Sequence, residues 1–300
     1  MKVFVAGATG AIGKQLVPML VSAGHEVTGM TRSEAKLGWL REHGALPVLA
    51  DALDPAQVAE AIHRASPDVV VHQLTAIRSL DPRHFDRDFA LTNRLRTEGT
   101  DNLLAAARTA GVRKFIAQSY GAWPYERSGG PVKTEDDPLD PTPAREMRET
   151  AAAIRYVEQA VLSATWIEGI VLRYGAFYGP GTNMTAGGEM FELVRKRKFP
   201  MVGNGHGVWS FVHVADAAEA TVAAIEHGHR GVYNVVDDEP ARVADWLPAL
   251  AHSLGAKPPM RIPRTLGRIL AGESGVVMMT EARGASNAKA KRELAWRPAH

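Results

Sequence analysis

The chain has 300 residues, 45% of them hydrophobic and 23% charged, enough for one large domain or a domain with a smaller appended lobe. A formal net charge of +2 sets up no single-sign field, so no nucleic acid and no anionic membrane is expected as a partner. Cysteine is absent, which excludes disulfides, thiol nucleophiles and cysteine-ligated metals. The N-terminal apolar run at 3–6 ends at Gly7 and Gly10, too short for a signal peptide or a membrane span, and the expected location is cytoplasmic. Short apolar runs at 3–6, 25–30, 47–50, 68–72, 114–118 and 169–172 read as strands, with helical patterns at 15–23, 56–65, 93–110 and 149–162 between them. This alternation predicts an α/β fold, a doubly wound parallel sheet with helices on both faces. After Tyr178 the breakers Gly179-Pro180-Gly181 interrupt the rhythm. A strand at 208–214, a helix at 216–227 and a strand at 231–235 follow, and the remainder reads as helices. The expected division is a dinucleotide-binding domain at 1–178, rejoined by 208–236, with a smaller, mainly helical substrate lobe from 179–207 and 237–300.

The most informative stretch is Gly7-Ala8-Thr9-Gly10-Ala11-Ile12-Gly13, between the first strand and the first helix. Glycine there lets the backbone turn tightly and approach a pyrophosphate, while the helix N-terminus offers free N–H groups to the anion. An acid about 20 residues further on would hold the ribose 2′-hydroxyl of NAD, whereas a basic residue accommodates the phosphate of NADP. The chain has Thr31-Arg32-Ser33 at that point, so NADP is the expected cofactor, with NAD as the alternative. His206 and His213 belong to no metal motif, and no metal is expected.

Several stretches resemble the extended short-chain dehydrogenase/reductases, the group of the epimerases and dehydratases. They are the glycine turn, Glu98-Gly99-Thr100-Asp101-Asn102-Leu103-Leu104, Leu172-Arg173-Tyr174-Gly175-Ala176-Phe177-Tyr178-Gly179-Pro180-Gly181, Phe211-Val212-His213-Val214-Ala215-Asp216, and the C-terminal Asn287-Ala288-Lys289-Ala290-Lys291-Arg292-Glu293-Leu294-Ala295-Trp296. The resemblance implies that Asp51 and Ala52 lie near adenine, Leu74 and Thr75 near the adjoining ribose, and the segment with Tyr174 and Tyr178 near nicotinamide.

Members of this group generally carry a tyrosine and, four residues on, a lysine that together trade a proton with a carbonyl or alcohol. Counting back from Val157-Glu158-Gln159 puts Thr150 and Ile154 at the two positions; counting forward from Glu135-Asp136-Asp137-Pro138-Leu139 puts Ala144 and Arg148 there. No tyrosine of the chain has a lysine four residues later, and Arg96 replaces the asparagine that usually precedes the Glu-Gly-Thr stretch. Ser119, Tyr120 and Tyr174 are the candidate substitutes.

Trp209-Ser210 stands where nucleotide-sugar enzymes of the group carry a diphosphate-clamping arginine, which disfavours a sugar-nucleotide substrate. Trp123, Tyr178, Met184 and Trp209 are the expected walls of an apolar substrate pocket. The expected function is an NADP(H)-dependent oxidoreductase of an apolar or aromatic small molecule with a non-standard proton donor, a homodimer being allowed. The alternatives are a non-redox cyclase, isomerase or lyase, and a cofactor-sensing regulatory protein.

Overall fold

The computed structural model describes residues 1–77 and 80–300. Seven parallel strands form the central sheet: β1 (Lys2–Ala6), β2 (Glu26–Thr31), β3 (Leu46–Leu49), β4 (Val69–His72), β5 (Lys114–Tyr120), β6 (Glu168–Tyr174) and β7 (Gly231–Val235). Their spatial order is 3-2-1-4-5-6-7, reversing direction between β1 and β4. Strands covered on both faces must be apolar on both, and β4 is buried at all of its residues. Helices α1 (Ala11–Ser22) and α6 (Val214–His227) cover one face, through Leu16, Val17, Ala217 and Ala220. Helices α2 (Pro55–Ala65), α4 (Thr100–Thr109) and α5 (Arg148–Ser163) cover the other, through Ile62, Leu103 and Val157. A separate core of Met201, Trp209, Leu247, Val276 and Met279 builds the C-terminal lobe.

Three elements depart from the sequence expectation. The helix predicted from residue 93 begins earlier, as α3 (Phe85–Arg94), and passes into α4 through a π-helical turn, Leu95–Gly99. The strand expected at 208–214 is two short pieces, Val208–Trp209 and Phe211–His213, outside the central sheet. The first pairs with Ala241–Arg242 and the second with Ala176–Tyr178, because the chain crosses here from the sheet to the lobe. The C-terminal region is helical, including α7 (Arg264–Thr280), yet it also carries two-residue strands such as Arg261–Ile262 and Gly284–Ala285. Pairs that short have no alternation for a sequence to display. Among the described residues, no helix is long and apolar enough to cross a membrane.

Candidate active site

The turn after β1 leaves no room for a side chain at Gly7 or Gly13. Gly7 has φ 92°, and a Cβ there would lie 2.5 Å from the Gln73 carbonyl oxygen at the end of β4. A Cβ on Gly13 would meet the Gly7 oxygen at 2.4 Å, so this glycine allows α1 to pack against the turn. Gly10 is the N-cap of α1 and supplies no side-chain cap, so the first-turn N–H groups around Ala11 and Ile12 point out of the helix end without one. The end of β2 adjoins this turn, where the Thr9 and Thr31 hydroxyls lie 3.0 Å apart and the Ser33 N–H donates to Thr31 Oγ1 at 3.2 Å. Arg32 is exposed beside them. Asp51 Oδ1 accepts from the Leu53 N–H, and the Ala52 carbonyl accepts from Asn102 Nδ2. The Leu74 N–H donates to His72 Nδ1, and Thr75 is exposed. Gln73 Oε1 is buried and has no hydrogen-bond partner among the described residues. A cradle that admits only glycine at positions 7 and 13, an uncapped helix start and an orphaned acceptor at the strand ends together fit a dinucleotide.

Beyond the end of β5 lies a narrow cavity of about 40 Å³. Phe85 and Phe89 of α3, Tyr120, Trp123, Ala144, Thr150 and Ile154 of α5, and Val277 of α7 line it together with Arg96. Thr150 and Ile154 are one turn apart on α5, whereas Ala144 is extended and precedes the helix, so only the first pair shares a helix face. No lysine lines this cavity. Thr150 Oγ1 accepts from Asn93 Nδ2 at 3.0 Å. Burial pushes the Tyr120 phenol well above its ordinary pKa, against the pull of Arg96, so it stays protonated. Burial lowers the pKa of Arg96 to about 10, which leaves it cationic at neutral pH. Arg96 reaches the cavity from the π-helical turn, and His72 Nε2 braces that turn against the Leu95 carbonyl at 3.3 Å.

The remaining sequence candidates lie apart from this cavity. Ser119 is fully buried and donates to Glu158 Oε1 at 2.6 Å. Glu158 also accepts Arg173 Nε and Nη2 at 2.8 and 2.7 Å, and Arg173 Nη1 donates to the Tyr125 hydroxyl at 3.0 Å. Burial opposes the charge of Arg173, but the bonds to Glu158 outweigh it and raise the guanidinium pKa. Tyr174 points to the α6 side, where its buried hydroxyl meets Gln73 Nε2 at 2.9 Å and Thr221 Oγ1 at 2.7 Å. Tyr178 packs edge-on to His213 and donates to the His300 carbonyl, and the Met184 carbonyl accepts from the Gly179 N–H. Trp209 does not line the cavity. It stands behind Trp123 at a ring distance of 4.9 Å and donates Nε1 to the Met278 carbonyl. Sequence reasoning missed Phe85 and Phe89, whose i, i+4 spacing was the available signal.

Sequence spacing also gave no hint that His213, Asp216 and His300 come together, with possible ligand atoms within 4.8 Å of one another. Both Asp216 oxygens accept from His300, one from its N–H and one from Nδ1, so this carboxylate docks the C-terminal residues onto α6.

Comparison with known proteins places this architecture. Residues 3–236 match the model of the NAD dependent epimerase/dehydratase family. A Streptomyces protein named 3-diazoavenalumate denitrifying reductase is 44% identical over all of this chain and 97% of its own length. A Stigmatella aurantiaca 4-hydroxy-2-methyl-3-oxo-4-farnesyl-3,4-dihydroquinoline-1-oxide ketoreductase is 29% identical over 86% of the chain and 74% of its own length. Among solved structures, the Thermus thermophilus UDP-glucose 4-epimerase in complex with NAD is 26% identical with a TM-score of 0.73, covering 99% of this chain and 94% of that one. The Thermotoga maritima UDP-glucose 4-epimerase, at 22% identity, has a TM-score of 0.77 with the same coverage. With its seven-stranded parallel sheet and its glycine cradle, the chain belongs to the NAD dependent epimerase/dehydratase family of extended short-chain dehydrogenase/reductases, NAD(P)-binding proteins of oxidoreductase type.

Proposed function

We propose that the protein is an NADP(H)-dependent reductase that replaces the dinitrogen of a small arenediazonium compound by hydrogen. One observation supports this reading: among the described residues the cavity is lined by a phenol and by no lysine, and of the two registers that the sequence allows for the family's proton-trading pair, Thr150 and Ile154 share a helix face in its wall. A reduced dinucleotide held by the cradle of Gly7, Gly10 and Gly13 would supply hydride to the diazonium-bearing ring carbon, so that a C–H bond replaces the C–N bond, the C–N electron pair leaves with N2, and no proton is consumed. The protein's part is then to hold a flat ring between Phe85, Phe89, Trp123 and Ile154 and to keep water out of the reaction. At about 40 Å³ the cavity is far too small for a nucleotide sugar, and an aromatic ring would enter it only as the wall side chains move aside. The 44% identical relative, a denitrifying reductase, points the same way. Arg32 beside Thr31, with no acid at the end of β2, supports NADP over NAD.

Tyr120 favours a second reading, reduction of a ketone with this phenol as the acid, in line with the ketoreductase relative. Incubation with an arenediazonium salt, an aryl ketone and NADPH deuterated at the transferable position separates the two. The expected result is N2 release in step with NADPH oxidation, deuterium on the ring carbon, and turnover kept within about threefold in Tyr120→Phe. Ketone reduction that vanishes in Tyr120→Phe, with no N2 released, would establish the second reading instead.

A further inference from the structure

We propose that Arg96 anchors an anionic oxygen of the substrate, so that the cavity selects aromatic acids or phenolates over neutral aromatic compounds. This deepens the reading above by naming the substrate class, and it rests on the same cavity. Arg96 is 4% exposed and lines the cavity. A buried guanidinium normally faces a carboxylate, because an uncompensated charge is expensive to take out of water.

Among the described residues no carboxylate is in ion-pair contact with Arg96, and the charge of Glu158 acts on it only from a distance. The carboxylates around the cavity are engaged elsewhere. Glu158 is held by Arg173 and Ser119, Asp140 by Arg127 at 3.0 Å, and Glu146 accepts from the N–H groups of Glu273 and Ser274. The one side-chain hydrogen bond of Arg96 among these residues runs from Nη1 to Asn93 Oδ1 at 3.5 Å, at the outer limit for such a bond, and its guanidinium lies 5.9 Å from the Phe89 ring centroid. An arginine serving only to fill space and tie elements together would spend its five donors on protein oxygens, as Arg173 does.

A second observation concerns the same wall. Trp123 Nε1 is buried without an acceptor among the described residues. Of the other polar groups that line the cavity, Asp140 is paired with Arg127 and Arg155 donates to the Asp140 carbonyl, so the charged or N–H groups left with spare capacity are donors, the complement of an oxygen anion. The π-helical turn carries Arg96 to this point, and insertions of that kind recur at functional sites.

The test is calorimetric binding of unreactive probes to the full-length protein saturated with NADP⁺. The pairs are cinnamate against methyl cinnamate, and 4-nitrophenolate against 4-nitroanisole. At least one anion should bind about tenfold more tightly than its neutral partner, and the arm that shows the preference identifies the anion as carboxylate or phenolate. In Arg96→Met the preference should fall below about twofold, and Arg96→Lys should restore part of it. Equal binding of anion and neutral partner by the wild type in both arms would overturn the proposal even if Arg96→Met fails to fold. A preference that survives in a folded Arg96→Met would overturn it as well. The probes carry no transferable group, so failure of the hydride reading leaves this result intact, and failure here leaves that reading standing.

Discussion

His72 shows how one buried side chain holds the site in shape. Its Nδ1 accepts from the Leu74 N–H at 3.2 Å, so Nε2 carries the proton and donates toward the Leu95 carbonyl and Thr100 Oγ1. That neutral form is enforced by burial, which lowers its pKa from the usual 6.5 to about 4, with the Leu95 bond opposing and the nearby Arg96 charge assisting. The unfolded chain therefore takes up a proton near pH 6.5 that the folded chain refuses until about pH 4. The stability contributed by this residue is complete above about pH 6.5 and is lost as pH falls toward 4, on the order of 3 kcal/mol in all. Urea midpoints measured from pH 7 to pH 4 should fall steeply in the wild type and more shallowly in His72→Gln; parallel profiles would show that His72 is not the titrating group. At this scale the sequence was legible where chemistry needs a particular residue: Gly7 and Gly13 could be assigned from the turn alone. Arg96 was visible as a replacement, but its direction was not, because nothing in the local periodicity announces a π-helical turn.

Between elements, the chain Ser119–Glu158–Arg173–Tyr125 locks β5, α5 and β6 together just behind the cavity, and Tyr125 passes the link to Asn234 of β7. Both members of the ion pair are under a tenth exposed, so removing one leaves the other charged and buried. Arg173→Met alone should cost about 3–5 kcal/mol in urea unfolding, whereas the double variant Arg173→Met, Glu158→Leu should regain a large part of that. Additive losses would mean that the pair is not coupled. The same network explains why Ser119 looked like a reaction residue in the sequence and sits elsewhere in the structure. Successive strand residues face opposite sides of a sheet, so Ser119 and Tyr120 cannot share one environment, and the side that each faces depends on register with β6 rather than on the local sequence. The strands and long helices were legible because fully buried strands and amphipathic helices imprint their period on the chain. Residues 208–214 read as one strand because both short pieces are apolar, and the break at Ser210 is made by tertiary partners, Ala176 and Ala285.

For the whole molecule, the dinucleotide cradle and the cavity lie at the carboxyl ends of neighbouring strands of the central sheet, so occupation of the cradle should register as global stability. A ligand that binds only the folded state adds about 2.7 kcal/mol at a hundredfold excess over its Kd. For a chain of this size each kcal/mol moves Tm by roughly 2–3 °C. The proposed contact of Arg32 with a 2′-phosphate makes the effect selective. Arginine can grip a phosphate with two parallel N–H bonds, and Arg32 is exposed on the rim where such a group would arrive. At equal concentrations NADPH should therefore raise Tm by several degrees more than NADH. Arg32→Asp should reverse the order, because the carboxylate repels the 2′-phosphate and accepts from a 2′-hydroxyl. The unliganded Tm should change by less than about 1 °C, since an exposed side chain far from the cores carries little of the fold. Scanning calorimetry of both proteins with each cofactor decides the matter. If NADH stabilises the wild type more than NADPH does, or if the order is unchanged in Arg32→Asp, the end of β2 does not choose the cofactor and the preference must be set elsewhere in the cradle.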